Sequence, residues 1–325
     1  EQEAYATVTR LALGALLRGA SEQDRARVVA RLSEPAGALL GPDTPPDSPL
    51  GRAVLEEAAR MAAALTNPPP PPSSSPAVAG EGGVGAFPAH AGIGGYDLTA
   101  SEAARTGEWR DGIARVTGSA DPALADYLAL VRAAGYPRHY PGSPALVRAV
   151  LRPGDALVLC ELHPEDHAAL RARFRGDPLV AVHRRDAYEA AVALTPFPER
   201  RGLVLLDPPF EREGEFDRLA AALATLRRRF RAATLAAWYP IKHRAPVRAF
   251  HDALREARVP DCLACELTLR EPTDPARLNG CGLLVANPPF RFEENAAAIL
   301  RALLPLLSDE ATAAASVTRV TPEAG

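Results

Sequence analysis

Between residues 156 and 307, short apolar runs alternate with longer stretches whose apolar residues recur at helical spacing. A run of four to eight apolar residues fits a strand covered on both faces, and a helix between two such runs returns the chain to start the next strand in the same direction. The alternation therefore predicts an α/β fold built on a mostly parallel sheet. Strands are expected at residues 156–160, 179–183, 203–206, 234–238, 264–269 and 282–286. Helices are expected at 165–175, 187–194, 215–229, 246–257 and 295–307.

The front of the chain has a different pattern. Residues 1–67 carry apolar residues at the spacing of three short helices, with Ser21 capping the second, and read as a small helical unit. Residues 68–85 form a Pro/Ser/Gly-rich linker, extended in its proline tract. The third unit is 86–325, and about 97–140 is too long and polar for one crossover, so it reads as a helical insertion. No strand is expected ahead of His90. The chain opens at Glu1 without a methionine, the start expected of a trimmed chain, and shows no basic-then-apolar leader.

Composition excludes little but directs attention. A net charge of −3 gives no overall electrostatic case for nucleic acid, and 36 of the 37 basic residues are arginine, with Lys242 the one lysine. No apolar run of about 18 residues is present, so no membrane span is expected. Cys262 and Cys265 have the spacing of a redox or zinc pair, but no second pair completes a set. On a strand an odd separation sends the two side chains to opposite faces, so these cysteines read as small buried hydrophobes. His163 and His167 are spaced i, i+4, but Pro164 between them makes the segment a helix start, and no metal is expected. The run Arg227-Arg228-Arg229 reads as a solvated helix face.

In an open α/β sheet, ligands bind outside the carboxyl ends of the strands. Glu161 follows the first predicted strand, where an acid typically accepts from ribose hydroxyls; the alternative is a helix-capping acid. Asp186 follows the next strand and suits either an adenine amino group or an N-cap. Upstream, His90-Ala-Gly-Ile-Gly-Gly95 is a glycine turn of the kind that lets a nucleoside approach the backbone.

The sharpest signal is Asp207-Pro208-Pro209-Phe210, directly after the apolar run 203–206. Two prolines stiffen the turn and remove two amide donors, leaving fixed carbonyl acceptors beside a carboxylate. An exocyclic amino group bonded to the Asp207 carboxylate and the Pro208 carbonyl has its lone pair drawn out of ring conjugation. It can then attack a sulfonium methyl held in line. Phe210 offers a face on which a splayed-out base can stack. A second copy, Asn287-Pro-Pro-Phe290, follows a late strand and reads as a structural turn. Trp238-Tyr239-Pro240 ends a strand and serves either as a wall of the target-base pocket or as core.

From about Ala89 to Leu307 the chain resembles the RlmJ-type bacterial 23S rRNA (adenine-N6)-methyltransferases. The resemblance rests on His90-Ala-Gly-Ile-Gly94, Glu102-Ala-Ala-Arg-Thr-Gly-Glu108, Tyr140-Pro-Gly-Ser-Pro144, Glu161-Leu-His-Pro164, Arg201 through Phe210, Trp238-Tyr-Pro240 and Asn287-Pro-Pro-Phe290, in that order. It implies a Rossmann-like class I methyltransferase sheet with a helical insertion. It also implies S-adenosyl-L-methionine as cofactor, 23S rRNA (naked or partly assembled) as substrate, and a cytoplasmic monomer. By position, His90, Ser143, Glu161, Asp186 and Ala187 are implied to contact the cofactor, Asp207 to be catalytic, and Pro208, Pro209 and Phe210 to bind the target base. Ala187 stands where the family usually has glycine. The family's leading Tyr-Arg-His and His-Ala-Gly-Asn segments are replaced by the helical unit and linker, and its acid and threonine before His90 by Pro88 and Ala89. Two alternatives share these residues: a relative that binds RNA or protein without catalysis, and a methyltransferase acting on adenine in DNA.

Overall fold

A computed structural model describes residues 83–100, 107–199 and 201–323, all within one compact unit. The helical unit at 1–67 and nearly all of the linker lie outside the described residues, as do positions 101–106 of the Glu102–Glu108 motif.

Eight strands form one mixed sheet in the order β10-β8-β9-β7-β6-β1-β4-β5. The parallel half comprises β1 (Val84–Pro88), β4 (Ala156–Cys160), β5 (Val180–His183), β6 (Arg201–Leu206) and the first part of β7 (Ala233–Ile241). Beyond β7 the strands β9 (Gly280–Ala286), β8 (Cys262–Thr268) and β10 (Ala314–Thr321) are antiparallel. All six expected strands are present, each within a few residues of its expected ends. The fold is thus the α/β sheet anticipated from the alternation, and Rossmann-like as the resemblance implies.

The expectation that no strand precedes His90 is overturned. Val84–Pro88 is a strand, it takes the last two residues read as linker, and it lies between β4 and β6 in the middle of the sheet. Its start is fixed by Asp155, whose carboxylate accepts from the Val84 N–H at 2.8 Å and pairs with Arg152 at 3.0 Å. Small residues suit it: a Cβ on Gly85 would meet the Phe197 ring at 2.4 Å. A second unexpected strand, β10, covers the outer edge of β8.

Strand alternation divides the apolar residues between two faces. Leu203 and Leu205 of β6 join one core with α4 (Ser143–Val150), α5 (Pro164–Arg173) and α9 (Phe292–Leu307). Val204 and Leu206 join the other with α6 (Ala187–Ala193), α7 (Glu215–Arg229) and α8 (Arg244–Glu256). Cys262 falls in the second core and Cys265 in the first, as the odd spacing requires. Burial pushes their thiols up to about 11 and about 12. Between β2 (Gly95–Asp97) and β3 (His139–Pro141), which pair antiparallel, the described residues include three short helices: α1 (Glu108–Asp111), α2 (Ile113–Val116) and α3 (Ala125–Ala133). Tyr127 of α3 and Tyr140 of β3 join hydroxyls at 2.7 Å inside this segment.

Among the described residues no helix is long and apolar enough to cross a membrane, and no group of three or more His, Cys, Asp or Glu is placed to hold a metal.

Candidate active site

The strand order reverses between β1 and β6: from β1 the chain winds out to β4 and β5, then returns to β6 and continues to β7. A doubly wound sheet opens its crevice at such a switch point, where helices leave the carboxyl ends of neighbouring strands in opposite directions. His90 lies just beyond the end of β1 and Asp207 directly follows β6, so the two residues flank the reversal. Glu161 directly follows β4, and Asp186 follows β5 after Arg184 and Arg185. The four residues singled out on separate strands thus share one edge of the sheet.

Hydrogen bonds join these loops into a single piece. The Asp207 N–H donates to His90 Nδ1 at 3.3 Å. An amide can only donate, so Nδ1 carries the lone pair and the neutral ring holds its proton on Nε2. Loss of hydration keeps the ring neutral, pushing its pKa down to about 4; Arg218 adds to the effect and Asp186 opposes it. One Glu161 oxygen accepts from the Gly92 N–H at 2.8 Å and the other from the His163 N–H at 2.8 Å. Glu161 therefore supports the glycine turn. The N-cap of α5 is His163, and Glu161 is not its cap. The Ala91 N–H donates to the Cys160 carbonyl at 3.0 Å.

The glycine turn requires glycine twice over. Gly92 and Gly94 have φ of +57° and +78°, where side chains are strained. Gly142 packs against Gly94 so closely that a Cβ on it would meet the Gly94 main chain at 2.8 Å. The Gly142 N–H donates to the Gly94 carbonyl at 3.1 Å, and Ser143 begins α4 immediately afterwards. Ser143 is thereby fixed against the same turn.

Asp186 is the N-cap of α6: one carboxylate oxygen accepts from the N–H groups of Tyr188 and Glu189, both at 3.0 Å. Its other oxygen lies 3.7 Å from the Arg218 guanidinium. Ala187, the first helical residue, is buried.

In the Asp207 turn, Pro208 is buried, Pro209 exposed, and Asp207 and Phe210 half-buried. Phe210 holds a positive φ of 54°. Its ring packs against Phe216 with centroids 4.8 Å apart and against Trp238 at 5.9 Å. Phe216 in turn touches Phe250, so Phe210 is the outermost ring of an aromatic row rooted in the core. Trp238 stands beside the turn, while Tyr239 is fully buried on the other face.

The second Pro-Pro-Phe turn is not brought to this edge. Because β9 runs antiparallel to β7, Asn287 emerges beside Ala233, at the start of β7, and donates to its carbonyl at 3.1 Å. The Arg227–Arg229 run is also remote: it ends α7, where Arg229 donates to the Thr195 carbonyl and Arg228 to Thr225. His163 and His167 form one turn of α5, the His167 N–H donating to the His163 carbonyl.

Sequence reasoning passed over three residues that surround His90. Tyr188 meets the His90 ring edge-on at 5.5 Å, its hydroxyl donates to the buried Glu215 carboxylate at 2.7 Å, and Arg218 lies over its ring at 4.6 Å. The only trace in the sequence is Tyr188 standing two residues after Asp186, with Glu215 and Arg218 one helical turn apart.

Comparison with known proteins agrees with this architecture. The family model described as ribosomal RNA large subunit methyltransferase D, RlmJ, matches residues 84–321. The ribosomal RNA large subunit methyltransferase J of Haemophilus influenzae is 34% identical over 240 residues, covering 72% of this chain and 85% of that protein. The protein of the same name from Escherichia coli is 35% identical over 239 residues with the same coverage. The crystal structure of a Legionella pneumophila protein superposes with a TM-score of 0.67 at 27% identity, over 74% of this chain and 90% of that one. With β1, its glycine turn and the Asp207 turn all inside the matched span, the chain belongs to the RlmJ family of ribosomal RNA large subunit methyltransferases.

Proposed function

We propose that the chain transfers a methyl group from S-adenosyl-L-methionine to the N6 amino group of an adenine in 23S rRNA, with Asp207 as the catalytic acceptor. The observation that carries this reading is the Asp207 turn at the switch point, its first N–H held by His90 and its Phe210 ring beside Trp238. The chemistry of the donor set fits the cofactor. Two carboxylates, Glu161 and Asp186, stand on adjacent strand ends for ribose hydroxyls and an adenine amino group, beside a turn whose glycines admit a close ligand. His90, Ser143 and the Ala187 main chain complete the lining.

When bound, the cofactor supplies a methyl group on a positively charged sulfur. This chain's part is to present the nucleophile. The Asp207 carboxylate and the Pro208 carbonyl accept hydrogen bonds from the two N6–H groups and turn the nitrogen lone pair toward the methyl; one N6 proton is lost as the methyl is gained. Neither Pro208 nor Pro209 has an N–H, which removes two amides that would compete for those acceptors. Phe210 and Trp238 offer aromatic surface against which an unstacked base rests. Unstacking costs a few kcal/mol in a duplex and less in a loop, which favours unfolded or partly assembled rRNA as substrate. The same reading, through the family resemblance, has the chain act in the cytoplasm on ribosomal precursors as a monomer.

The deciding experiment combines calorimetry of the full chain against S-adenosyl-L-methionine with tritiated methyl incorporation into naked 23S rRNA and into adenine-containing DNA. Binding with RNA-selective labelling at adenine N6 is expected. Binding without labelling would make the chain a non-catalytic relative, and preferential labelling of DNA would replace the substrate.

A further inference from the structure

We propose that Tyr188, Glu215 and Arg218 are positioning residues for the catalytic turn: together they hold the His90 ring where Nδ1 takes the Asp207 N–H. The proposal rests on the reading of Asp207 as the centre of methyl transfer.

Tyr188 is held at four points. Its N–H is capped by Asp186, and its ring lies between the His90 edge and the Arg218 guanidinium. Its hydroxyl ends on Glu215. Glu215 is buried, yet it occupies the first turn of α7, where the helix dipole favours a carboxylate, and Arg218 lies 3.5 Å away. Burial and the bond to Glu215 push the Tyr188 hydroxyl far above the usual tyrosine range, so it remains a donor. Arg218 also faces Asp186 at 3.7 Å and so connects the cap of α6 with the start of α7. The only acceptor on the His90 ring is then aimed at the first N–H of the catalytic turn. Asp186 and Ala187, on the cofactor side, are thus tied through Tyr188 and His90 to Asp207, on the target side. A shift of the His90 ring moves the acceptor carboxylate relative to the methyl donor without removing any group that touches either substrate.

This arrangement predicts a separation of rate from affinity. Tyr188→Phe keeps the ring and removes the hydroxyl; kcat should fall roughly ten-fold, since small misplacements of reacting groups are costly, while the dissociation constant for S-adenosyl-L-methionine stays within about two-fold. Glu215→Gln still offers Tyr188 an acceptor and should turn over faster than Glu215→Ala. Nitrogen-15 spectra of the histidine rings provide a readout that needs no turnover. His90 should show the Nε2–H tautomer in the wild type. The groups around that ring are Asp186, which favours its protonation, Arg218, which opposes it, Tyr188 at its edge and the Asp207 main chain. Arg218→Gln should therefore raise the pH at which His90 titrates. Wild-type kcat in both Tyr188→Phe and Arg218→Gln, with an unchanged His90 spectrum, would overturn the proposal. A His90 spectrum that responds as described in a chain inactive on RNA would uphold the network and remove the methyl-transfer reading instead.

Discussion

Two turns in this chain share the sequence Pro-Pro-Phe and differ in the residue before it, and the fold gives them opposite surroundings. The Asp207 turn leaves a parallel strand at the switch point, its first N–H is taken by a histidine ring, and its phenylalanine ends an aromatic row. The Asn287 turn leaves an antiparallel strand at the far edge. There the Asn287 N–H donates to the Asp261 carbonyl, its side chain to Ala233, and its own carbonyl accepts from Thr234. Asn287 adopts a positive φ of 55°, a conformation that asparagine tolerates better than most residues, and Phe290 is 90% exposed. One turn has its first N–H taken by a histidine ring; the other is sewn to two main-chain carbonyls and a threonine hydroxyl. Composition gives both a stiff turn, and strand direction decides which one lies at the switch point.

The largest expected effect separates the two turns outright. Asp207→Ala should lower methyl incorporation into 23S rRNA by at least about 100-fold with cofactor affinity intact, as for loss of a preorganised polar group at the reacting centre. Asn287→Ala should leave incorporation unchanged at 25 °C and lower stability by about 1–3 kcal/mol, through the unsatisfied Ala233 carbonyl and the strained φ. Activity surviving in the first variant and lost in the second would reverse the assignment.

The histidine contact belongs to one turn alone, and it predicts a pH dependence. His90 is pushed down to about 4 in the folded chain from an ordinary value of 6.5, so between these values the unfolded chain binds the extra proton. Stability is therefore level above about pH 6.5 and falls as pH drops toward 4, by up to about 3 kcal/mol. Urea unfolding between pH 7 and 4.5 should show this slope, and His90→Gln should flatten it. An equal slope in both proteins would mean that the ring is solvated.

Phe210→Ala should cost about 1–3 kcal/mol of base stacking, read as a decrease of roughly ten-fold or more in kcat/KM for RNA. Glu161→Ala, which removes a carboxylate from the cofactor side, should weaken S-adenosyl-L-methionine binding roughly ten-fold by calorimetry. An unchanged dissociation constant would restrict Glu161 to bracing the glycine turn. The smallest effect is expected at the other turn: Phe290→Ala should leave stability within about 0.5 kcal/mol and turnover unaltered.

The sheet was readable wherever strands were apolar runs between helices, because burial on both faces leaves such runs few other conformations. The two missed strands lack that signature for different reasons. In β1, Val-Gly-Ala-Phe-Pro, small residues fit beneath Phe197 and a glycine-rich stretch precedes it, so it resembles linker. In β10, Ser316, Thr318 and Arg319 interrupt the apolar pattern because much of the strand, at the rim of the described sheet, is exposed. At the site, Glu161, Asp186 and Asp207 could be found because strand ends are where a parallel sheet binds ligands. Tyr188, Glu215 and Arg218 could not, since nothing local says that α6 and α7 will bring an aromatic ring and an ion pair together beside His90. The capping role of Asp186 was open in the sequence and is now visible, with its second oxygen turned toward Arg218.

The central position of β1 also governs the order in which the molecule can assemble. Gly85 pairs with Ala156 on one side and Gly202 on the other, separations of 71 and 117 residues. Closing loops of that length must precede any reward from pairing, so contacts this distant slow folding. During synthesis β1 emerges early and has no neighbour until β4 follows, and its second neighbour comes only when the chain has passed Leu206. The contact between His90 and Asp207 spans the same interval and forms no sooner. A nascent chain stalled before β6 therefore exposes an unpaired strand edge to other chains and lacks the contact between His90 and Asp207.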